Sequence, residues 1–155
     1  MGERIKVIMD CDPGIDDGIA LAYAAAHQDE LELLAVTTFA GNNTIDKVTK
    51  NALELVDFYG LNVPVARGQE RPLVKEVLHA EEFHGETGLG HCVLPEAKSE
   101  AVSDNAVLFI RELLNRLPEG EQVVMIETAP MTNLALLLKV FPEIKNKIGK
   151  IVFMG

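Results

Sequence analysis

Five short aliphatic and β-branched runs alternate along this chain with segments whose apolar residues recur at helical spacing. That alternation restricts the fold more than any other feature. Residues 4–9 (RIKVIM), 31–39 (LELLAVTTF), 63–66 (VPVA), 122–127 (QVVMIE) and 150–154 (KIVFM) read as strands. Residues 16–28, 104–117 and 130–141 read as helices, the last with Pro130 at its first position. A further helix starts at Asn43 as N-cap, carries Ile45, Val48, Ala52, Leu55 and Tyr59 on one face, and stops at Gly60. Strands and helices in this order imply an α/β fold, a Rossmann-like, mostly parallel sheet with flanking helices. Ligands of such sheets bind at the carboxyl ends of the strands, which singles out loops 10–16, 40–43 and 127–131. Residues 67–103 hold three of the four histidines and four glycines and read as mostly irregular, with one helical turn near 74–82. A loop of that length is usually functional or mobile. The final strand has no helix after it to cover its apolar face.

Composition narrows the partners. At 155 residues the chain has the size of one domain or part of one. Fourteen basic against 24 acidic side chains give a net charge of −10, which argues against binding nucleic acid or an anionic membrane surface. Divalent cations and neutral polar small molecules suit it better. Cys11 and Cys92 form no CxxC pair, and the N-terminus lacks a secretory h-region, so a cytoplasmic setting is expected. The longest uncharged apolar run, Ile19 to Ala26, is far too short to span a bilayer.

The chemistry concentrates in Asp10-Cys11-Asp12-Pro13-Gly14-Ile15-Asp16-Asp17, four carboxylates between a strand and a helix. Two carboxylates 4 Å apart repel by about 4 kcal/mol at an effective dielectric of 20, so a cation or hydrogen-bond donors must offset the crowding. Carboxylate, carbonyl and water ligands suit Ca²⁺ or Mg²⁺, and the bend at Pro13-Gly14 lets Asp12 and Asp17 approach one ion. The bland alternative is that Asp16 and Asp17 only favour a helix N-terminus; Asp10, nearest the strand, has a structural reading too. Gly14 and Leu21 fill the fifth and twelfth positions where an EF-hand needs Asp or Asn and Glu. No P-loop is present, and Gly85 to Gly90 misses the dinucleotide fingerprint. Haloacid-dehalogenase phosphatases carry DxDx[TV] here, which would make Asp10 a nucleophile, but Gly14 replaces the Thr or Val. The neighbouring carboxylates should raise the Cys11 pKa and keep it from acting as a nucleophile. Glu127 faces either the site or solvent. His27, His79 and His91 read as surface residues.

Asp10 to Asp17 matches DxDPGxDD, the N-terminal signature of the inosine–uridine-preferring nucleoside hydrolases, at every specified position. The resemblance continues through Val36 to Asn42, through Phe83-His84-Gly85-Glu86-Thr87-Gly88, and through Thr128-Ala129-Pro130-Met131-Thr132-Asn133. It ends at Ile151 to Gly155 and so covers the chain in order. Ala129 and Met131 depart from the family's usual Gly and Leu. The resemblance implies hydrolysis of the N-glycosidic bond of purine and pyrimidine ribonucleosides. It implies Ca²⁺ held by Asp12, Asp17 and the carbonyl of Thr128, with Asp12 as general base. It implies that Asp16 binds ribose hydroxyls, that Asn42 orients the water or sugar, and that His84 lies on a loop closing over the substrate. A dimer or tetramer is implied as well. Family members are about twice as long, and their second half supplies ribose-binding residues and a late His-Asp pair. Residues 1–155 therefore correspond to the N-terminal part of one hydrolase domain, and a catalytically inactive fragment is the alternative.

Overall fold

The computed structural model describes residues 4–154. Five strands, β1 (Ile5–Cys11), β2 (Leu31–Thr38), β3 (Val65–Ala66), β4 (Val123–Glu127) and β5 (Ile148–Phe153), form one sheet in the order β3-β2-β1-β4-β5. Every pairing is parallel, as the alternation predicts. The order runs outward from β1 in one direction and resumes on its other side at β4. The carboxyl ends of β1 and β4 are therefore the topological switch point, where such sheets open a crevice.

Helices α1 (Ile15–Ala26) and α2 (Ile45–Phe58) cover one face; α4 (Ala106–Asn115) and α5 (Thr132–Val140) cover the other. Between these pairs lies the short α3 (Glu81–His84) of the long loop. Alternation along β1 divides the core between the two faces. Ile8 packs with Val107, Ile110 and Leu114 of α4 and Leu134 and Leu137 of α5, whereas Met9 and Cys11 pack with Leu21 of α1 and Ala52, Leu55 and Val56 of α2. A central strand buried on both faces explains why β1 reads as a nearly unbroken apolar run. Gly60 follows the end of α2 with φ of 66°, a left-handed conformation that glycine adopts without penalty.

Several boundaries differ from the sequence expectation. Thr44, not Asn43, is the N-cap of α2, and Asn43 turns its Oδ1 onto the Thr44 N–H. Pro130 precedes the N-cap of α5, Met131, rather than opening the helix. The helical turn of the long loop, α3, is displaced from 74–82. Asn105 caps α4 by accepting from Leu108 N at 3.1 Å. On β5, Ile151, Val152 and Phe153 are exposed. Among the described residues no helix is long and apolar enough to cross a membrane.

Candidate active site

Asp10 anchors the site from below. It is the penultimate residue of β1, with Thr37 of β2 and Glu127 of β4 beside it in register. Its Oδ1 accepts from Thr37 Oγ1 at 2.5 Å and from Asn133 Nδ2 at 2.9 Å. It is wholly buried, so a phosphatase nucleophile at Asp10 is ruled out: no ester can reach it. Glu127 faces neither solvent nor an open site. It too is wholly buried, and among the described residues no hydrogen-bond donor meets its two oxygens or Asp10 Oδ2. The two carboxyls are register partners on β1 and β4. Burial, and then the Asp10 charge, push Glu127 up to about 9, so it holds its proton near neutral pH. Glu127→Gln preserves a donor and is expected to leave Tm nearly unchanged at pH 7. Glu127→Ala leaves a cavity and an unmet carboxylate and should cost about 2–4 kcal/mol. Thermal unfolding of the two variants checks this; equal losses would contradict a protonated Glu127.

Asp12 is gripped by the loop after β2. Its Oδ2 accepts from Asn42 N at 2.7 Å, and Asn42 Nδ2 donates to the Asp12 carbonyl at 2.9 Å. Gly41 makes the grip possible, because a Cβ there would lie 2.0 Å from Asp12 Oδ2. Burial, and then the charge of Asp17, push the Asp12 carboxyl up to about 8, against the Asn42 backbone hydrogen bond.

Asp17 sits in the first turn of α1 and is buried. Burial raises its pKa, a hydrogen bond from the Thr128 side chain opposes the rise, and Asp16 adds to it. Among the described residues no donor reaches its buried Oδ2. Thr128 N is held by the Asp10 carbonyl at 2.9 Å, which brings the β4 loop beside Asp12 and Asp17. Asp16, one residue away, is exposed. His84 reaches the same turn from the long loop: its Nδ1 accepts from Ile15 N at 3.3 Å and so caps α1. A Cβ on Gly14 would lie 2.6 Å from His84 Nδ1 and 2.7 Å from Asn42 Nδ2. The fold thus gathers Asp12, Asp16, Asp17, Asn42, His84 and Thr128 at the carboxyl end of the sheet. Cys11 lies beneath them with its thiol pushed well up, by burial first and by the Asp17, Asp10 and Asp12 charges after it. The charges are the part of that shift that the sequence foretells.

The donor set has the chemistry of a hard-cation site: oxygen atoms only, two crowded carboxyls, and one buried carboxylate oxygen without a partner among the described residues. Among the described residues no three His, Cys, Asp or Glu side chains form a metal cluster. A cation here would complete its shell with main-chain carbonyl, water or substrate oxygens, or with donors from elsewhere in the protein. Sequence reasoning missed Asn133 and Thr37. Asn133 donates to Asp10 and to the Thr38 carbonyl and accepts from Gln69 N, tying the ends of β1 and β2 to the segment after β3. A polar residue within the first turn of an otherwise aliphatic helix was the available signal.

The model of the family described as inosine–uridine preferring nucleoside hydrolase matches residues 7–155. A non-specific ribonucleoside hydrolase, RihC, of Escherichia fergusonii is 41% identical over 98% of the chain and 49% of its own length. A pyrimidine-specific ribonucleoside hydrolase, RihA, of a Shewanella species is 45% identical over 96% of the chain and 46% of its own length. Among solved structures, a purine-preferring ribonucleoside hydrolase from Gardnerella vaginalis superposes with a TM-score of 0.87 at 35% identity, covering 97% of this chain and 48% of that one. The chain spans about half the length of the curated relatives it matches.

Proposed function

The chain belongs to the inosine–uridine preferring nucleoside hydrolase family, and we propose that it carries the cation-binding and water-activating side of a site that cleaves ribonucleosides to base and ribose. The observation that carries this reading is the convergence of Asp12, Asp17 and Thr128 around a buried carboxylate oxygen with no partner among the described residues. Asp12, Asp17 and the Thr128 carbonyl would hold Ca²⁺. When bound there, the ion supplies a positive charge that orients a water and makes it more acidic.

Asp12 takes the proton of the attacking water. Its residue is fixed by two hydrogen bonds from Asn42 and lies in a buried pocket, where proton transfer by a positioned base contributes roughly 10²–10⁴-fold. Cleavage of an N-glycosidic bond builds positive charge on the ribose ring, and the carboxylates of Asp12, Asp16 and Asp17 offer the complementary field. Asp16, exposed at the rim, binds ribose hydroxyls. His84 and the remaining face of Asn42 border the substrate. Bond breaking is thus assisted from beneath the sugar, by groups that β1, β2 and β4 fix in place.

Release of ribose from inosine and from uridine by this chain joined to the second half that its relatives carry, measured with calcium and with a chelator, tests the proposal. Calcium-dependent release of reducing sugar is expected; none from either nucleoside would refute it. Gly41→Ala supplies a finer check. The added methyl drives Asp12 off Asn42 N, and a displacement of that order is expected to lower kcat/KM about 10²-fold while Tm changes little.

A further inference from the structure

Helix α2 and the turn leading into it present three donors, at intervals of four residues along the chain, to the loop of residues 79–90. Asn43 Nδ2 and Lys47 Nζ both donate to the Glu86 carbonyl, at 3.1 and 2.6 Å, and Lys47 also meets Glu81 at 3.3 Å. Asn51 differs from the other two. Its Nδ2 donates at once to the Thr87 carbonyl at 2.8 Å and to the Pro13 carbonyl at 3.1 Å. One amide group therefore joins the loop that carries His84 to the turn between Asp12 and Asp17. The junction is closely fitted and almost dry: Asn51 is 4% exposed, and a Cβ on Gly88 would lie 2.8 Å from Asn51 Nδ2 and 3.4 Å from the Pro13 carbonyl. Gly88 has φ of 92°, so glycine is required there by backbone conformation as well as by space.

We infer that Asn51 is a positioning residue that couples the His84 loop to the aspartate turn, so that seating the loop and fixing the turn are one event. Asn43 and Lys47 fasten the loop alone. The amide has two hydrogens and both are engaged. A loop that leaves strands one of them in a buried setting, and an unmet buried donor is costly. The same departure frees the amide to turn, which loosens its hold on Pro13. The link stands on hydrogen bonds of this chain; only its consequence for turnover rests on the nucleoside-hydrolase reading.

Hydrogen–deuterium exchange on the 155-residue chain, without substrate or added metal, tests the link independently of activity. Lys47→Ala, which loosens the loop alone, is expected to accelerate exchange in residues 81–90 and, through Asn51, in 12–18 as well. Asn51→Ala is expected to accelerate both segments about ten-fold, the equivalent of about 1.4 kcal/mol, while amides of β1 and β4 keep their protection. Asn51→Ser, whose hydroxyl ends short of both carbonyls, should behave like the Ala variant and serves if that variant does not fold. Acceleration of only one segment in the Asn51 variants, or equal acceleration of the core strands, would overturn the inference. So would a Lys47→Ala protein in which the loop loosens while the aspartate turn keeps its full protection.

Discussion

Asp12→Asn is expected to abolish nucleoside cleavage while the protein becomes no less stable above neutral pH. The substitution removes the proton acceptor, and loss of a positioned base alone lowers kcat/KM by roughly 10²–10⁴-fold. It also removes one of the charges that would hold the cation, so weaker calcium binding accompanies the loss. The amide oxygen can still accept from Asn42 N, and the buried repulsion with Asp17 disappears. Opposite movements of activity and stability are the mark of a group kept for chemistry rather than for folding. Steady-state kinetics with inosine, calcium titration and thermal unfolding at pH 8 measure the three effects. A D12N variant that retained turnover within a few-fold of the parent would remove Asp12 from the role of base.

Without a divalent cation, the folded chain is expected to lose stability as pH rises. Asp10, Asp12, Asp17 and Glu127 all bind their protons more tightly in the fold than in the unfolded chain, chiefly because burial disfavours the charged form. Such groups take up protons on folding. Their contribution is fully present below the ordinary carboxylate range of about 4 and is lost as pH rises through about 8 for Asp12 and about 9 for Glu127. Tm without calcium should therefore fall by on the order of 5–10 °C between mildly acidic pH and pH 9. Millimolar calcium should restore much of the loss at the alkaline end, because a cation that binds only the folded form stabilises it and favours ionised Asp12 and Asp17. The Glu127 contribution should persist, since that carboxyl interacts with Asp10 rather than with the cation ligands. A Tm that rose with pH in chelator would contradict the electrostatic account of the site.

The sheet was legible in the sequence because its signals are local. Ile5 to Cys11 is apolar on both faces for most of its length, Gly60 stops a helix whose apolar residues keep helical spacing, and DPG can only turn. The carboxylate turn was legible for the same reason, as four acids within eight residues betray their own crowding. What escaped was long-range. Whether Glu127 met solvent or Asp10 depended on β4 lying beside β1 in one register, and no local pattern encodes that register. Asn51 and Asn133 look like ordinary polar residues in their helices. Their value comes from a carbonyl and a carboxyl 38 and 123 residues away in the chain. The placement of α3 was missed because the long loop is held by donors on and just before α2 as well as by its own backbone hydrogen bonds, and the distant donors leave no local pattern.

The central claim is that Asp12, Asp17 and the Thr128 carbonyl hold one calcium ion at the switch point of the sheet. A crystal structure of the protein grown with calcium, with anomalous scattering used to place the ion, tests it most directly. The account predicts one peak about 2.3–2.6 Å from oxygens of all three residues, with Asp17 Oδ2 among them and Asp12 still bonded to Asn42 N. Calcium located elsewhere, with Asp17 Oδ2 turned onto a protein donor instead, would contradict it.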